Sequence, residues 1–325
     1  MTPVPQTQED VVAAHNVPQN AFRVLVTGFG PFLHYEENPS WLAVKPLQNI
    51  VLHTNENIPR ILPLPSATSS NLAPIPDEGI LDGTKPRPIH VTTLKIPVTY
   101  DAVLSTVPGL HARPPILPAG SPAECARPPA SNYDFIFHIG VAGRGPLRME
   151  RQAHKLGYHM KDATGKLAPV VRHSAKDFSR RDGARYETSP DEITTDIDVT
   201  RLVHDLKRSG IDQIYTSMDA GHYLCDFIYY CSLEVKRASK PYEKRRNTQV
   251  LFLHCPPVSL PLSTEEVTDA IKRIVVWVCN EQQLLDVKED AAAGGTAASS
   301  GPATGGATGA VGVTVGASAP AHVAA

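Results

Sequence analysis

Residues 217–232 read Ser-Met-Asp-Ala-Gly-His-Tyr-Leu-Cys-Asp-Phe-Ile-Tyr-Tyr-Cys-Ser. The stretch carries thiols, carboxylates and an imidazole across an expected strand-to-helix junction. Ile214-Tyr215-Thr216 reads as a short strand and Asp219-Ala220-Gly221 as a tight turn. From His222 the period becomes helical: Leu224, Phe227, Ile228 and Leu233 fall near one face, with Cys225, Tyr229 and Ser232 beside it. Asp219 is the expected helix N-cap, and Gly221 permits a backbone conformation that other residues resist. Cys225 then lies in the first turns of the helix. Free N–H groups and the positive end of the helix dipole favour a thiolate there. A cysteine nucleophile would be put at such a place; the competing reading is a buried cysteine acting as a small apolar residue.

A hydrolytic thiol needs a base that takes its proton and later protonates the leaving group. Among the 13 histidines, His254 ends a strand and should share the sheet edge with the start of the Cys225 helix. His138 is the rival, but it precedes its strand end and reads as buried structure. A third group should orient the imidazole through its other nitrogen. Glu150 is the best placed, with Asp219 and Asp226 as competitors; Glu150 also fits a surface carboxylate paired with Arg148 or Arg151.

The elements that must position these groups alternate. Residues 22–27, 90–98, 133–143 and 249–254 read as strands, rich in β-branched and aromatic residues. Expected helices cover Trp41–Asn49 (with Ser40 as cap), Tyr100–Val107, Asp196–Lys207, the Cys225 segment, and a last one reaching about Leu285 from a capping box of Ser263 and Glu266. Arg148–Tyr158 reads as an extended arm. This alternation argues an α/β fold, a three-layer α/β/α sandwich with a mostly parallel mixed sheet, in a single domain over residues 21–288. Pro-rich insertions are expected at about 55–89 and 108–132, a flexible tail at 1–20, and a low-complexity tail at 289–325. Residues 160–194 and the basic stretch Lys236–Arg246 read as loops.

The first strand ends in Gly28-Phe29-Gly30-Pro31-Phe32. It suggests a dinucleotide fingerprint, but Leu33 stands where the third glycine should be and Pro31 interrupts the turn. The alternatives are core rings or a loop offering Phe29 and Phe32 at the strand end, where ligands of open α/β sheets bind. The net charge of -2 gives no basic excess for nucleic acid or an anionic membrane. No run approaches the length of a membrane span, and the N-terminus lacks the order of a signal peptide. Five cysteines without a CxxC read as reduced thiols of a cytoplasmic protein, not as a disulfide framework or a zinc site.

Six strings occur in order: Val-Thr-Gly-Phe-Gly-Pro-Phe (26–32), Asn-Pro-Ser-Trp (38–41), His-Ile-Gly-Val-Ala-Gly (138–143), Glu150 with His154 and Gly157-Tyr158, the twelve residues 219–230, and Phe-Leu-His-Cys-Pro-Pro (252–257). Together they resemble the pyroglutamyl-peptidase I (pyrrolidone-carboxylate peptidase) family, in its eukaryotic form at the Cys225 block. The resemblance covers residue 22 to about 285, outside the tails and the two insertions. It implies a cysteine peptidase that removes an N-terminal pyroglutamyl residue from peptides, with no metal or cofactor. It implies Cys225 as nucleophile, His254 as general base and acid, and Glu150 as the group orienting His254. It makes Phe29, Phe32, Tyr223 and Leu224 walls of the lactam pocket, with Asn38 near it and backbone groups around Val141 supplying hydrogen bonds. Two departures stand out. The arginine that bacterial members carry near the oxyanion corresponds to Met160 here, followed by Lys161, and Val141 replaces a glutamine. A silent relative that binds N-blocked peptides, a thiol amidase for another small acyl group, and a scaffold whose Pro-rich loops and tail bind partners share some of these features. Oligomeric state is not legible in the sequence.

Overall fold

A computed structural model describes residues 16–55, 85–121, 127–169, 188–239 and 246–297. Seven strands form the main sheet: β1 (Phe22–Phe29), β2 (Val51–His53), β3 (Pro88–Ile96), β4 (Phe135–Val141), β5 (Leu147–Glu150), β8 (Ile214–Ser217) and β9 (Gln249–Cys255). Their order is β2-β3-β1-β4-β9-β5-β8. The pairs β3–β1, β1–β4, β4–β9 and β5–β8 are parallel; β2–β3 and β5–β9 are antiparallel. A second sheet pairs β6 (Gln152–His154) with β7 (Glu192–Thr194).

Helices cover both faces. One apolar cluster joins α1 (Pro39–Val44), α3 (Val199–Arg208) and the start of α5 (Thr264–Ala297) to Phe135, Phe137, Leu251 and Leu253. The other joins α2 (Tyr100–Leu110) and α4 (Leu224–Ala238) to Leu25, Ile136, Val250 and Phe252. Successive residues of β4 and β9 thus serve opposite layers, as the period of a strand requires when both faces are covered. The fold is the three-layer α/β/α arrangement expected, with a mostly parallel mixed sheet. Contacts divide the chain into Met1–Leu284, which holds the sheet, and Leu285–Ala325.

Helix starts follow their local chemistry. Asp198 accepts from Arg201 N at the head of α3. Ser263 and Glu266 exchange both bonds of the expected capping box. Three expectations need correction. Asn38, not Ser40, caps α1: its Oδ1 accepts from Ser40 N, and Pro39 takes the first helical position, where a missing N–H costs nothing. α1 ends at Val44 and a 3₁₀ turn, Lys45–Leu47, follows it. α5 runs past Leu285 to Ala297, because alanine propagates a helix that is already nucleated. The first expected insertion and the tails fall mostly outside the described residues; the second is described over 108–121 and 127–132, and α2 extends to Leu110 inside it. The polar stretch 160–194 contains β7, and α4 reaches Ala238 into the basic stretch.

Burial holds three histidines neutral. It lowers His90 to about 4, and His111 and His138 to about 3. Below the ordinary value near 6.5 the unfolded chain binds protons that these side chains refuse in the fold, so stability falls as pH drops from 6.5 towards 3–4. Asp226, raised to about 7, acts with the opposite sign over part of this range, as one group against three. Denaturant melts should therefore show stability dropping between pH 6.5 and 5, above the range where ordinary carboxylates titrate. A flat profile there would contradict the burial of these rings.

Candidate active site

The candidate groups meet at the end of the sheet where β4 and β9 finish. His254 pairs in register with Gly140 on one side and Arg148 on the other. Glu150 pairs with Phe252, two residues before His254, so both side chains leave the same face. His254 Nδ1 lies 2.7 Å from Glu150 Oε1. Glu150 is fully buried and His254 nearly so. The alternative of a surface carboxylate is excluded: Arg148 Nε stands 3.8 Å away, and the hydrogen bond goes to the histidine.

Cys225 packs on the strand beside this pair because of a glycine. A Cβ on Gly140 would lie 2.7 Å from Cys225 Sγ and 2.7 Å from the rim of Phe252. Only the bare backbone of β4 lets the thiol settle on the strand that neighbours His254. Cys225 is the second residue of α4. Tyr229, one turn on, donates to the carbonyl of Glu150 at 2.9 Å and so ties α4 to β5. No sequence signal distinguished Tyr229 from an ordinary core ring.

Asp219 is not the helix cap. Its side chain accepts from Gly221 N at 2.8 Å and closes the turn, with Gly221 at φ +81°. The N-cap is Tyr223, which brings no capping oxygen; its hydroxyl instead donates to Lys161 O. The first-turn N–H groups of α4 are therefore not taken by a cap. Asp226 does not face His254 either: it accepts from His154 N and from the Tyr158 hydroxyl.

Electrostatics set the resting protonation. Burial, reinforced by Cys255, Glu150 and Asp226, pushes the Cys225 thiol well above its ordinary range, and Arg148 opposes this. Burial also lowers His254, against the pull of Glu150. The pair at rest is thus a thiol and a neutral imidazole, where the sequence suggested a thiolate. With Nδ1–H donated to Glu150, Nε2 carries the lone pair.

Phe29, Leu224 and the half-buried Phe32 and Tyr223 belong to one apolar cluster, the cluster that also packs Cys225. The rings of Phe32 and Tyr223 lie 5.5 Å apart. Asn38 is further removed: Ser40 Oγ donates to its Oδ1 and accepts from Phe29 N, so Asn38 steadies the Phe29 loop through Ser40. Val141 packs against the opposite cluster, although it stands next to Gly140. His138 is buried against Thr27 at 2.8 Å, as expected of a structural histidine.

No protein-family model matches the chain. Two mammalian proteins are similar to it over most of its length. The Mus musculus protein described as pyroglutamyl-peptidase 1 is 26% identical over 270 residues, 82% of this chain and 92% of the relative. The Homo sapiens protein of the same description is 25% identical over 268 residues, covering 82% and 91%. The crystal structure of pyroglutamyl peptidase I from Bacillus amyloliquefaciens superposes with a TM-score of 0.51 at 21% identity, covering 80% of this chain and 95% of that one. Pyrrolidone carboxyl peptidase from Fervidobacterium islandicum gives 0.50 at 21%, covering 78% and 97%.

The chain is thus similar to pyroglutamyl-peptidase I proteins over about four fifths of its length and shares the fold of their solved structures. Met160, which the resemblance was expected to set in place of an arginine, lies in the loop before Asp162. Its side chain is exposed, and its carbonyl accepts from the Tyr100 hydroxyl.

Gly140→Ala tests the contact on which the site is built. It should cost about 1–3 kcal/mol through overpacking, and displacement of the sulfur by even an ångström should cut turnover on a pyroglutamyl amide by about 10²-fold. Gly143→Ala, with nothing within 4 Å of the added carbon, serves as the stability control. A Gly140→Ala protein of undiminished activity would remove the thiol from that position.

Proposed function

We propose that this peptidase hydrolyses the amide after an N-terminal pyroglutamyl residue, with Cys225 as nucleophile, His254 as general base and acid, and Glu150 as the group that fixes the His254 tautomer. The observation that carries this reading is the buried 2.7 Å bond between Glu150 and His254, at the strand end where Cys225 packs on Gly140. The names of the relatives supply the substrate class.

Each step balances. His254 Nε2 takes the Cys225 proton as Sγ bonds to the scissile carbonyl carbon, and the carbonyl π electrons move to oxygen. Uncapped N–H groups at the start of α4 stabilise that oxyanion. Its collapse breaks the C–N bond, and the proton on His254 passes to the leaving amine. A thioester remains. Water gives a proton to His254 and attacks the thioester carbonyl; the sulfur leaves and recovers the proton, and free pyroglutamate departs. The lactam is flat and neutral, so a pocket walled by Phe29, Phe32, Tyr223 and Leu224 suits it, with hydrogen bonds from backbone around Val141. Asn38 acts on the pocket through Ser40 and the Phe29 loop. We take residues 21–288 as the catalytic domain. The four described cysteines are not joined in disulfides, in keeping with work in a reducing compartment such as the cytoplasm.

The test is release of a fluorescent amine from its pyroglutamyl amide, beside the prolyl and glutamyl amides. The pyroglutamyl compound alone should be cleaved, and Cys225→Ala should retain the fold without turnover. Activity of Cys225→Ala within about tenfold of wild type would exclude the nucleophile. Glu150→Gln should lower kcat by about 10²–10⁴-fold, the usual worth of a positioned base.

The pH profile gives a separate check. Neutral His254 is the active form and its pKa is lowered, so the acidic limb of kcat/KM should lie below 6.5, the ordinary histidine value. A limb at or above 6.5 would contradict a buried, neutral base.

A further inference from the structure

Behind the turn that leads into α4 lies a second constellation of ligating groups. His154, His222 and Asp226 each offer one ligand atom, and these atoms all fall within 4.8 Å of one another. We infer that His154, His222 and Asp226 bind a single divalent transition metal of the zinc class. This stands independently of the reaction assigned to Cys225.

Geometry comes first. A tetrahedral zinc with bonds near 2.1 Å holds its ligand atoms about 3.4 Å apart. His154 Nδ1 lies 3.3 Å from Asp226 Oδ2, already at that separation. His222 Nδ1 lies 3.9 Å from the same oxygen, and its half-exposed ring has room to close the remaining distance. The fourth position is left to water.

The surroundings are built for the two rings. His154 Nδ1 is buried and makes no hydrogen bond among the described residues, although a carboxylate stands beside it. The Gln152 side-chain amide lies 3.4 Å from His154 Nε2. With its oxygen turned to the ring it accepts Nε2–H and leaves the Nδ1 lone pair for a cation, which is the usual outer support of a ligating histidine. Asp226 is fixed by His154 N on one oxygen and by the Tyr158 hydroxyl on the other, each at 3.1 Å. Gly157, at φ +101°, has no Cβ where one would strike His222 Nδ1 at 2.8 Å. Two imidazole nitrogens with one carboxylate oxygen favour zinc, cobalt or nickel over magnesium or calcium.

A metal here would clamp β6 to the turn before α4 and to α4 itself, whose Asp226 is 72 residues from His154. The experiment uses the full chain carrying Cys225→Ser, so that the thiol near the site does not compete. Zinc alone is titrated against a chromophoric chelator, and cobalt alone is followed by its visible absorption. We expect one equivalent bound, tetrahedral cobalt bands without a sulfur charge-transfer band, and affinity weakened at least about tenfold in a protein that also carries His222→Ala. His222 is half-exposed, so a thermal melt should find that variant folded. Three outcomes overturn the inference: no saturable binding, unchanged affinity in the His222→Ala protein, or a sulfur-to-cobalt band.

Discussion

The site depends on one buried carboxylate. Glu150 has no solvent exposure, and its Oε2 finds no hydrogen-bond partner among the described residues. An arrangement this unfavourable persists only when the surroundings over-determine it. Strand register does so here. β5 runs antiparallel to β9 and ends as Glu150 comes level with Phe252, which leaves its carboxylate against the ring of His254. The Tyr229 hydroxyl holds the Glu150 carbonyl from the other layer. Slipping β5 by one residue would turn the carboxylate to the opposite face and strand both groups.

The thiol faces two opposed influences. The start of α4 offers N–H groups and a dipole worth about 0.3–1 kcal/mol in favour of the anion. Burial against Gly140 and Phe252, with Cys255, Glu150 and Asp226 close by, favours the neutral thiol more strongly. The outcome fits a base-assisted attack better than a standing ion pair. His254 is kept neutral by the same lack of water, so donor and base are matched: neither holds a charge before substrate arrives. The dipole then acts mainly on the oxyanion, where negative charge first appears.

Much of this was legible in the chain. The alternation of apolar strands and amphipathic helices gave the layers, because burial on both faces leaves strands almost wholly apolar. Reasoning about strand ends brought His254 and Glu150 forward as candidates, with a surface carboxylate as the competing reading of Glu150. What escaped was short or non-local. β2, β6 and β7 have three residues each, too few for a period. Asp219 looked like a cap because the turn residue and the cap residue share the same chemistry; only the backbone shows the helix beginning at Leu224. Helix position, which is local, pointed to a thiolate at Cys225, whereas burial, which is not, favours the thiol. Gly140 carries no mark in the sequence that separates it from the turn glycines after it.

The segment around Met160 ties the head of α4 to a neighbouring loop. Asp162 accepts from Thr164 N, Lys166 N and Tyr100 N, making a rigid turn. The carbonyls of Met160 and Lys161 then hold the hydroxyls of Tyr100 and Tyr223. Tyr223 is both the N-cap of α4 and the neighbour of Phe32, so the turn fixes the head of the helix and a ring beside the thiol in one action. A cation remains at the other side: Arg148, paired with His254 across the sheet, is the group that draws the Cys225 pKa down. Positive potential thus comes from β5 and from the uncapped helix start, while the loop of Met160 and Lys161 positions aromatic rings.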